Sequence, residues 1–327
     1  MLPQSKRLHI QEVSVRDGFQ IEPIFIPTAT KIDLINALSR TGLAKIEVTS
    51  FTSPKAIPAL ADAEEVLSRI DRIPSVEYTA LVPNVRGALR ALRTGLDEFN
   101  LVMSASDTHG LANLRMTSEE SLAQFEEIAQ VVDGKVALCA SLSTAFGCPF
   151  DGEVAVERVL HIVQQIVNIG IARVTLCDTT GMANPRQVHD LCARVRETWP
   201  DIQLTAHFHN TRGMGLANAV AAMQAGVIRF DASIAGLGGC PFAPGASGNV
   251  CTEDLVHMFE AMGFDTGVDL EALLACSRRI PEIVLHDVPG QVVKAGRSSR
   301  RYPPPARLGA PGGQARLTGV ATPSGDA

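Results

Sequence analysis

The stretch ARVTLCDTTGMANPRQVHDLCARVRETWPDIQLTAHFHN, residues 172–210, contains the unit from which the chain is built. Its apolar, β-branched start at 172–177 predicts a β-strand. Residues 184–199 repeat their apolar positions with a helical period, and 202–207 form a second strand candidate. A strand, a helix and a strand in this order predict one βαβ unit with parallel strands.

The same alternation runs through most of the chain. Strand candidates lie at 8–13, 44–49, 76–82, 97–103, 135–142, 172–177, 202–207 and 228–234. Helix-period segments lie near 28–41, 60–71, 84–94, 117–132, 151–169, 184–199, 213–225 and 252–263. Thr117 and the pair Asn184-Pro185 give two of these helices an N-terminal cap or a first-turn proline.

Eight strand–helix units in about 255 residues predict an α/β fold, a TIM (β/α)8 barrel, because eight parallel strands close into a barrel. An open doubly wound sheet is the alternative. It is disfavoured because no Gly-x-Gly-x-x-Gly follows the first strand, and because polar residues follow many different strands. A further helix near 269–285 is expected to pack over one end.

The chain divides by composition into a barrel domain, 1–296, and a C-terminal tail, 297–327. The tail holds ten Gly or Pro and five Arg and has almost no large apolar residue. Such a segment buries too little surface to offset its ordering entropy, so we expect it to be disordered. Its basic cluster, Arg297, Arg300 and Arg301, fits a solvated tail better than a polyanion site.

Bulk properties exclude several classes of function. The chain has 327 residues, 46% of them hydrophobic, and a net charge of -6, which does not favour nucleic acid or an anionic membrane as a partner. The first residues contain no run of about 7–15 apolar residues, so we do not expect them to be a secretory signal. The sequence also contains no uncharged run of about 18 apolar residues, so we expect no membrane span. Seven cysteines, an odd number, are typical of buried thiols in a reducing compartment. We expect a soluble intracellular protein.

Polar residues gather where several predicted strands end, while the strand bodies are expected to stay apolar. These polar segments are Arg16-Asp17-Gly18, Glu47 with Thr49-Ser50, Asp178-Thr179-Thr180-Gly181, His207-Phe208-His209-Asn210 and the loop from Gly236 to Asn249. TIM barrels carry their active sites at the carboxyl ends of the strands. This pattern therefore predicts an active site at that face.

His207 and His209 are the clearest local signal. Side chains two apart on a strand point to the same face, so both imidazoles would face the barrel mouth and could bind one metal ion. A structural or exposed pair is the alternative for this motif alone. Asp17 could complete the ligand set. Two histidines, an aspartate and an amide oxygen suit Mn²⁺ or Mg²⁺ better than a closed zinc site.

Arg16 and Cys240 are candidates for the chemistry itself. Arg16 could stabilise a developing oxyanion, or it could form a strand-end ion pair, and Glu47 is a suitable partner in either case. Cys240 lies in a glycine-rich stretch, 235–249, which is unusual for a buried structural thiol. A thiol on a mobile loop could enter an active site as the loop closes, although an incidental cysteine remains the alternative.

Together these motifs resemble the 3-hydroxy-3-methylglutaryl-CoA lyase family, within the metallolyase superfamily named for Asp, Arg and Glu on a TIM barrel. The similar stretches are RDGFQ (16–20), IEVTSFTSPKAIPALAD (46–62), FGCPFDG (146–152), DTTG (178–181), HFHN (207–210), GLGGCPFAPGASGN (236–249) and TEDLV (252–256). The resemblance runs in order from about residue 8 to 283.

The resemblance implies a divalent-metal-dependent lyase that cleaves 3-hydroxy-3-methylglutaryl-CoA to acetoacetate and acetyl-CoA in a retro-Claisen reaction. It also implies a cytoplasmic homodimer in leucine catabolism, with an acyl-CoA substrate and either Mg²⁺ or Mn²⁺. The implied metal ligands are Asp17, His207, His209 and Asn249. The implied catalytic residues are Arg16, Glu47 and Cys240, and the implied substrate-binding residues are Arg16, Gln20, Asp178, Thr179 and Arg212.

Three departures from the family pattern leave the acyl group open. Ser14-Val15 replace the usual Gly-Pro, Asn210 replaces an Asp, and Arg212 replaces an aromatic residue. An added arginine could bind a differently placed carboxylate, so citramalyl-CoA, cleaved to pyruvate and acetyl-CoA, is an alternative substrate. Less favoured alternatives are an isopropylmalate-synthase-like condensing enzyme and a non-catalytic acyl-CoA-binding barrel.

Overall fold

A computed structural model describes residues 7–239 and 248–303 of the chain. Eight parallel strands form a closed barrel in sequence order, and β8 pairs with β1 to complete it. The strands are β1 His9–Glu12, β2 Lys45–Ser50, β3 Glu77–Leu81, β4 Glu98–Ser104, β5 Ala137–Ser143, β6 Arg173–Asp178, β7 Gln203–Phe208 and β8 Arg229–Ala232. The predicted TIM barrel is confirmed.

Twelve α-helices lie in the described residues, most of them between consecutive strands. They are α1 Thr28–Ser39, α2 Ala63–Arg69, α3 Val85–Ala91, α4 Asp107–Asn113, α5 Ser118–Val132, α6 Val156–Asn168, α7 Pro185–Thr198, α8 Gly215–Gln224, α9 Thr252–Ala261, α10 Leu270–Ser277, α11 Ile280–Val284 and α12 Val292–Ala295. Helices α4 and α12 were not predicted from the sequence.

Local sequence signals explain where two of the helices begin. The Thr117 side chain accepts a hydrogen bond from the Glu120 backbone, and the Glu120 side chain accepts one from the Thr117 backbone. This capping box satisfies two amide groups that the first turn leaves unpaired. Asn184 caps α7 in a similar way, and Pro185 occupies its first turn.

The single helix expected near 269–285 is in fact two helices, α10 and α11, which follow α9 along the chain. Pro281 lies in the first turn of α11. A proline has no amide hydrogen to donate to the carbonyl four residues earlier, and its ring crowds that carbonyl. The helix therefore stops at Ser277 and a new one starts at Ile280.

The barrel interior is polar, so the expectation of apolar strand bodies was wrong. A small internal cavity of about 20 Å³ is lined by side chains from seven strands. Its lining includes Gln11, Lys45, Glu47, Thr79, Glu98, Asn100, Cys139, Thr175 and Asp231. The apolar residues between them, such as Ile46, Phe99 and Val174, are fully buried. Alternate residues of a strand face opposite sides, so the apolar ones pack outward against the helices.

Four charged residues form what we call the basal layer of the interior: Lys45, Glu77, Glu98 and Arg173, each the first residue of its strand. Lys45 Nζ lies 2.6 Å from Glu98 Oε1, and Arg173 Nη1 lies 2.7 Å from Glu98 Oε2. Arg173 also pairs with Glu77. Each charge of the basal layer therefore has a partner of opposite sign within the layer.

The chain separates into two units, Met1–Ala295 and Gly296–Ala327. The first contains the barrel and all twelve helices of the described residues. Most of the second lies outside the described residues, so the disorder expected for 297–327 stays a prediction. Within the described part of the chain, no helix has both the length and the apolar character needed to cross a bilayer. The six cysteines in that part are buried free thiols, as expected.

Candidate active site

Arg16 and Asp17 lie in a tight turn directly after β1. Residues Ser14–Gly18 form a π-helical turn, in which the amide of Phe19 bonds the carbonyl of Ser14. Such turns are rare and occur frequently at functional sites. The buried carboxylate of Glu12 accepts a hydrogen bond from the Ser14 amide at 2.8 Å and fixes the start of the turn.

The Arg16 guanidinium is held between two carboxylates. Its Nε donates to Glu47 Oε2 at 2.6 Å, and its Nη1 donates to Asp17 Oδ1 at 2.8 Å. Asn100 Nδ2 donates to the other Glu47 oxygen at 2.8 Å, and Gln20 Nε2 donates to Asp17 Oδ1 at 3.2 Å. Burial alone would lower the pKa of Arg16, but Glu47 and Asp17 outweigh it and raise that pKa. Arg16 is therefore a fixed, permanent cation.

Asp17, His207 and His209 converge at the carboxyl ends of β1 and β7. Each offers a ligand atom, and these atoms all lie within 4.8 Å of one another. Asn249 is brought beside them by an antiparallel bridge between His209 and Asn249. Its Nδ2 donates to Asp17 Oδ2 at 2.8 Å. The predicted metal ligands therefore lie together.

The chemistry of this cluster fits a divalent cation. His209 Nδ1 and Asn249 Oδ1 are buried and have no hydrogen-bond partner among the described residues. Leaving such groups unsatisfied costs about 1–3 kcal/mol each, a cost that coordination would remove. Burial and the neighbouring His207 lower the pKa of His209 to about 3, so its ring is neutral. Burial would raise the pKa of Asp17, but Arg16 and the histidines lower it, which keeps the carboxylate charged.

Asp178 and Thr179 build the loop that follows β6, next to the metal cluster. Asp178 Oδ1 accepts hydrogen bonds from the amides of Met182 and Ala183, at 2.7 and 3.1 Å. Its Oδ2 is buried without a partner in the described residues. Burial raises the pKa of Asp178 to about 6. Thr179 Oγ1 accepts from the amide of Thr144 at 3.0 Å.

Arg212 lies at the exposed rim of the same face. Its Nη1 donates to the carbonyls of Thr180 and Gly181, at 3.1 and 2.9 Å. The side chain therefore joins the loop after β7 to the loop after β6. Cys240, the predicted proton donor, lies outside the described residues.

A glycine explains how two loops approach so closely at the cluster. Gly238 has a φ of +90°, which favours glycine, and a Cβ there would lie 2.6 Å from Asn249 Nδ2 and 2.9 Å from Asp17 Oδ2. Any larger residue would push these two side chains apart. Part of the glycine-rich stretch is therefore required by the packing of the site.

Three polar residues that support the site were not predicted from the sequence: the buried Glu12 and Asn100, and the mostly buried Asp231. Asp231 Oδ2 lies 3.3 Å from His207 Nδ1, and Asn100 bonds Glu47 as described above. The signal for Asn100 and Asp231 was available, because polar and apolar residues alternate at the start of β4 and along β8. A barrel strand with an apolar interior would read as a continuous apolar run.

Comparison with known proteins shows the family to which the chain belongs. The family model described as HMGL-like matches residues 7–280, which is most of the chain. The chain belongs to the HMGL-like family. Hydroxymethylglutaryl-CoA lyase YngG of Bacillus subtilis is 44% identical to it over 299 residues, covering 91% of this chain and 100% of that protein.

Two further members extend the comparison. The (R)-citramalyl-CoA lyase of Chloroflexus aurantiacus is 42% identical, over 88% of this chain and 94% of that protein. An HMG-CoA lyase from Acenitobacter baumannii, solved in complex with coenzyme A and 3-methylmalate, superposes with a TM-score of 0.90 at 52% identity. That alignment covers 93% of this chain and 100% of the other. These members of the HMGL-like family are carbon–carbon lyases, and so is this chain.

Proposed function

We propose that the chain cleaves 3-hydroxy-3-methylglutaryl-CoA to acetoacetate and acetyl-CoA, with a divalent cation as cofactor. The observation that carries the proposal is the convergence of Asp17, His207 and His209 beside the buried guanidinium of Arg16. This places a metal-ligand set and a fixed positive charge at the same end of the barrel, where TIM-barrel enzymes bind their substrates.

Asp17, His207, His209 and Asn249 are the residues that would hold the cation. Bound there, Mg²⁺ or Mn²⁺ would polarise the hydroxyl and carboxylate oxygens of the substrate as a Lewis acid. The charged Asp17 and the neutral His209 are in the protonation states that coordination requires.

Arg16 supplies the charge that cleavage needs. When a general base accepts the proton of the tertiary hydroxyl, the C–C bond breaks, a ketone forms and the electron pair passes to the thioester as an enolate. A guanidinium already fixed by Glu47 and Asp17 stabilises that enolate oxygen without reorganising as the charge develops. Glu47 acts by holding Arg16, and Asn100 holds Glu47.

Protonation of the enolate carbon completes acetyl-CoA, and we assign this step to Cys240 on sequence grounds. A Cys240→Ser variant is expected to keep its metal affinity and lose about 10²–10⁴ in turnover, the usual worth of a positioned proton donor. Steady-state kinetics and metal titration of the two proteins measure both quantities. Near-normal turnover would remove Cys240 from the mechanism.

For the acyl pocket we propose Gln20, Asp178, Thr179 and Arg212, with Arg16. Gln20 contacts Asp17, and Arg212 lies at the rim of the same barrel face. Citramalyl-CoA remains the second candidate substrate, because a relative with 42% identity is named for that activity and because Arg212 adds a cation near the pocket. The homodimer, the cytoplasmic location and the role in leucine catabolism remain predictions.

One experiment tests the substrate and the metal together. The purified enzyme is dialysed against EDTA and assayed for acetyl-CoA release on a panel of acyl-CoAs, with and without added Mg²⁺ or Mn²⁺. We expect no activity after dialysis and recovery with either ion, with hydroxymethylglutaryl-CoA the best substrate. Full activity after exhaustive dialysis would exclude a metal-dependent mechanism. A preference for citramalyl-CoA would replace the substrate and keep the mechanism.

A further inference from the structure

We propose that Asp231 is a positioning residue that fixes the ring orientation and tautomer of His207, so that His207 presents Nε2 to the metal site. Asp231 lies on β8 directly opposite His207 of β7 in the strand register. Asp231 Oδ2 is 3.3 Å from His207 Nδ1, and the two side chains are only 12% and 10% exposed. The inference rests on the proposed function, since it presupposes that His207 binds the cation.

The direction of the hydrogen bond follows from the chemistry of the two groups. A charged carboxylate only accepts hydrogen bonds, so the proton must lie on His207 Nδ1. A neutral imidazole carries one proton, which leaves the lone pair on Nε2 for coordination. Ligand histidines commonly bond a carboxylate through the second nitrogen, and loss of that partner typically weakens metal binding about 10–100-fold.

Asp231 is not one of the proposed metal ligands, and it contacts the site through His207. Among the described residues, the cluster with ligand atoms within 4.8 Å of one another is Asp17, His207 and His209. Asp231 instead lines the small cavity inside the barrel. The two histidines therefore differ, because His209 Nδ1 has no partner among the described residues.

The test compares the whole protein with an Asp231→Asn variant, using Mn²⁺ itself as the probe. Isothermal titration of the metal-free proteins is expected to show affinity for Mn²⁺ about 10–100-fold lower in the variant. Nitrogen-15 NMR of histidine-labelled, metal-free protein gives a readout independent of activity. We expect the His207 signals to report a proton on Nδ1 in the parent protein, and a changed tautomer balance in the variant. A His207→Asn protein assigns the signals.

Two controls separate positioning from a general disturbance of the interior. Thr175→Val changes the polarity of the same cavity at a hydroxyl that contacts Cys139 Sγ, so we expect parental Mn²⁺ affinity. Asp231→Glu keeps an acceptor carboxylate and is expected to recover part of the affinity that Asp231→Asn loses. Equal losses in the Thr175 and Asp231 variants would overturn the inference.

The possible failures are distinguishable. If the parent protein binds no Mn²⁺, the proposed metal site is wrong. If the parent binds Mn²⁺ and Asp231→Asn binds it equally well with an unchanged His207 tautomer, only the role of Asp231 is wrong. Should Asp231→Asn fail to fold, the parent protein still decides, because a neutral His207 ring with its single proton on Nε2 and none on Nδ1 contradicts the proposal.

Discussion

The two ends of the barrel interior are built from similar residues and differ in one respect. In the basal layer every charge is paired within the layer, with Lys45 and Arg173 both bonded to Glu98. At the opposite end, the cluster of Asp17, His207, His209 and Asn249 keeps buried atoms that have no partner among the described residues. The first is a closed network, and the second is complete only with a ligand.

This difference shows how to separate structural from functional polar groups inside one barrel. A buried ion pair is costly to desolvate, and it is tolerated when each member is satisfied by its partner. Buried atoms left unsatisfied reduce stability, so the two unsatisfied atoms of His209 and Asn249, beside the charged Asp17, indicate a binding role. We call Asp17, His207, His209 and Asn249 the upper cluster. We therefore expect variants of the basal layer to change stability and variants of the upper cluster to change activity.

The largest effect is expected from Glu98→Gln. Glu98 is the carboxylate that both Lys45 and Arg173 contact, so its neutralisation leaves the buried Lys45 and the partly buried Arg173 without full compensation. Breaking a buried pair in this way costs about 3–5 kcal/mol in the free energy of unfolding. Urea denaturation measures the loss. Turnover per folded molecule should stay near the parental value, and a fall of a hundredfold would show that the two layers are not separable.

The second-largest effect is a loss of turnover expected from Arg16→Lys, for which Arg173→Lys is the matched control. Arg16 bonds its two carboxylates through different nitrogens, Nε and Nη1, whereas Arg173 uses Nη1 for both of its partners. A lysine offers one nitrogen, so Arg16→Lys cannot reproduce the geometry. We expect Arg16→Lys to lower turnover by about 10²–10³ through lost enolate stabilisation.

Arg173→Lys is the control for this pair. It keeps the charge and a single donor nitrogen, so turnover should stay close to that of the parent, with a small loss of thermal stability. Melting temperatures and steady-state kinetics of both variants test the contrast. Comparable losses of turnover in the two variants would contradict it.

Metal addition should stabilise the protein through the upper cluster alone. A cation at 100 times its dissociation constant adds about 2.7 kcal/mol to the free energy of unfolding, provided it binds only the folded state. Thermal unfolding with Mn²⁺ should therefore shift upward in the parent and in Arg173→Lys. Asp17→Asn should lose the shift, since it removes a charged ligand. The same shift in all three proteins would place the bound ion elsewhere.

The smallest effect is expected at the rim. If Arg212 binds a carboxylate of the true substrate, Arg212→Tyr should shift preference toward hydroxymethylglutaryl-CoA by about tenfold, or about 1.4 kcal/mol. The ratio of kcat/KM between hydroxymethylglutaryl-CoA and citramalyl-CoA measures this shift. Because Arg212 also joins two loops, an equal loss on both substrates would mean that its bonds to Thr180 and Gly181 are its whole role.

The amino-acid sequence by itself determined the barrel. The period of apolar residues distinguishes strands from helices locally, and eight alternating units leave few ways to close a sheet. The pair His207 and His209 was also readable, because residues two apart on a strand share a face. The sequence predicted the barrel interior least well, because Glu12, Asn100 and Asp231 lie in strands that were recognised by their apolar neighbours.

Only the tertiary structure decided which residues meet. Asn249 reaches Asp17 because the segment after β8 returns to bridge His209, and Gly238 has no side chain to prevent that approach. Asp231 contacts His207 because of the register between β7 and β8. These contacts depend on strand pairing and on loop paths over long sequence separations. Local periodicity indicates which face of a strand a side chain occupies. It carries no information about which residue, distant in the sequence, packs against that side chain.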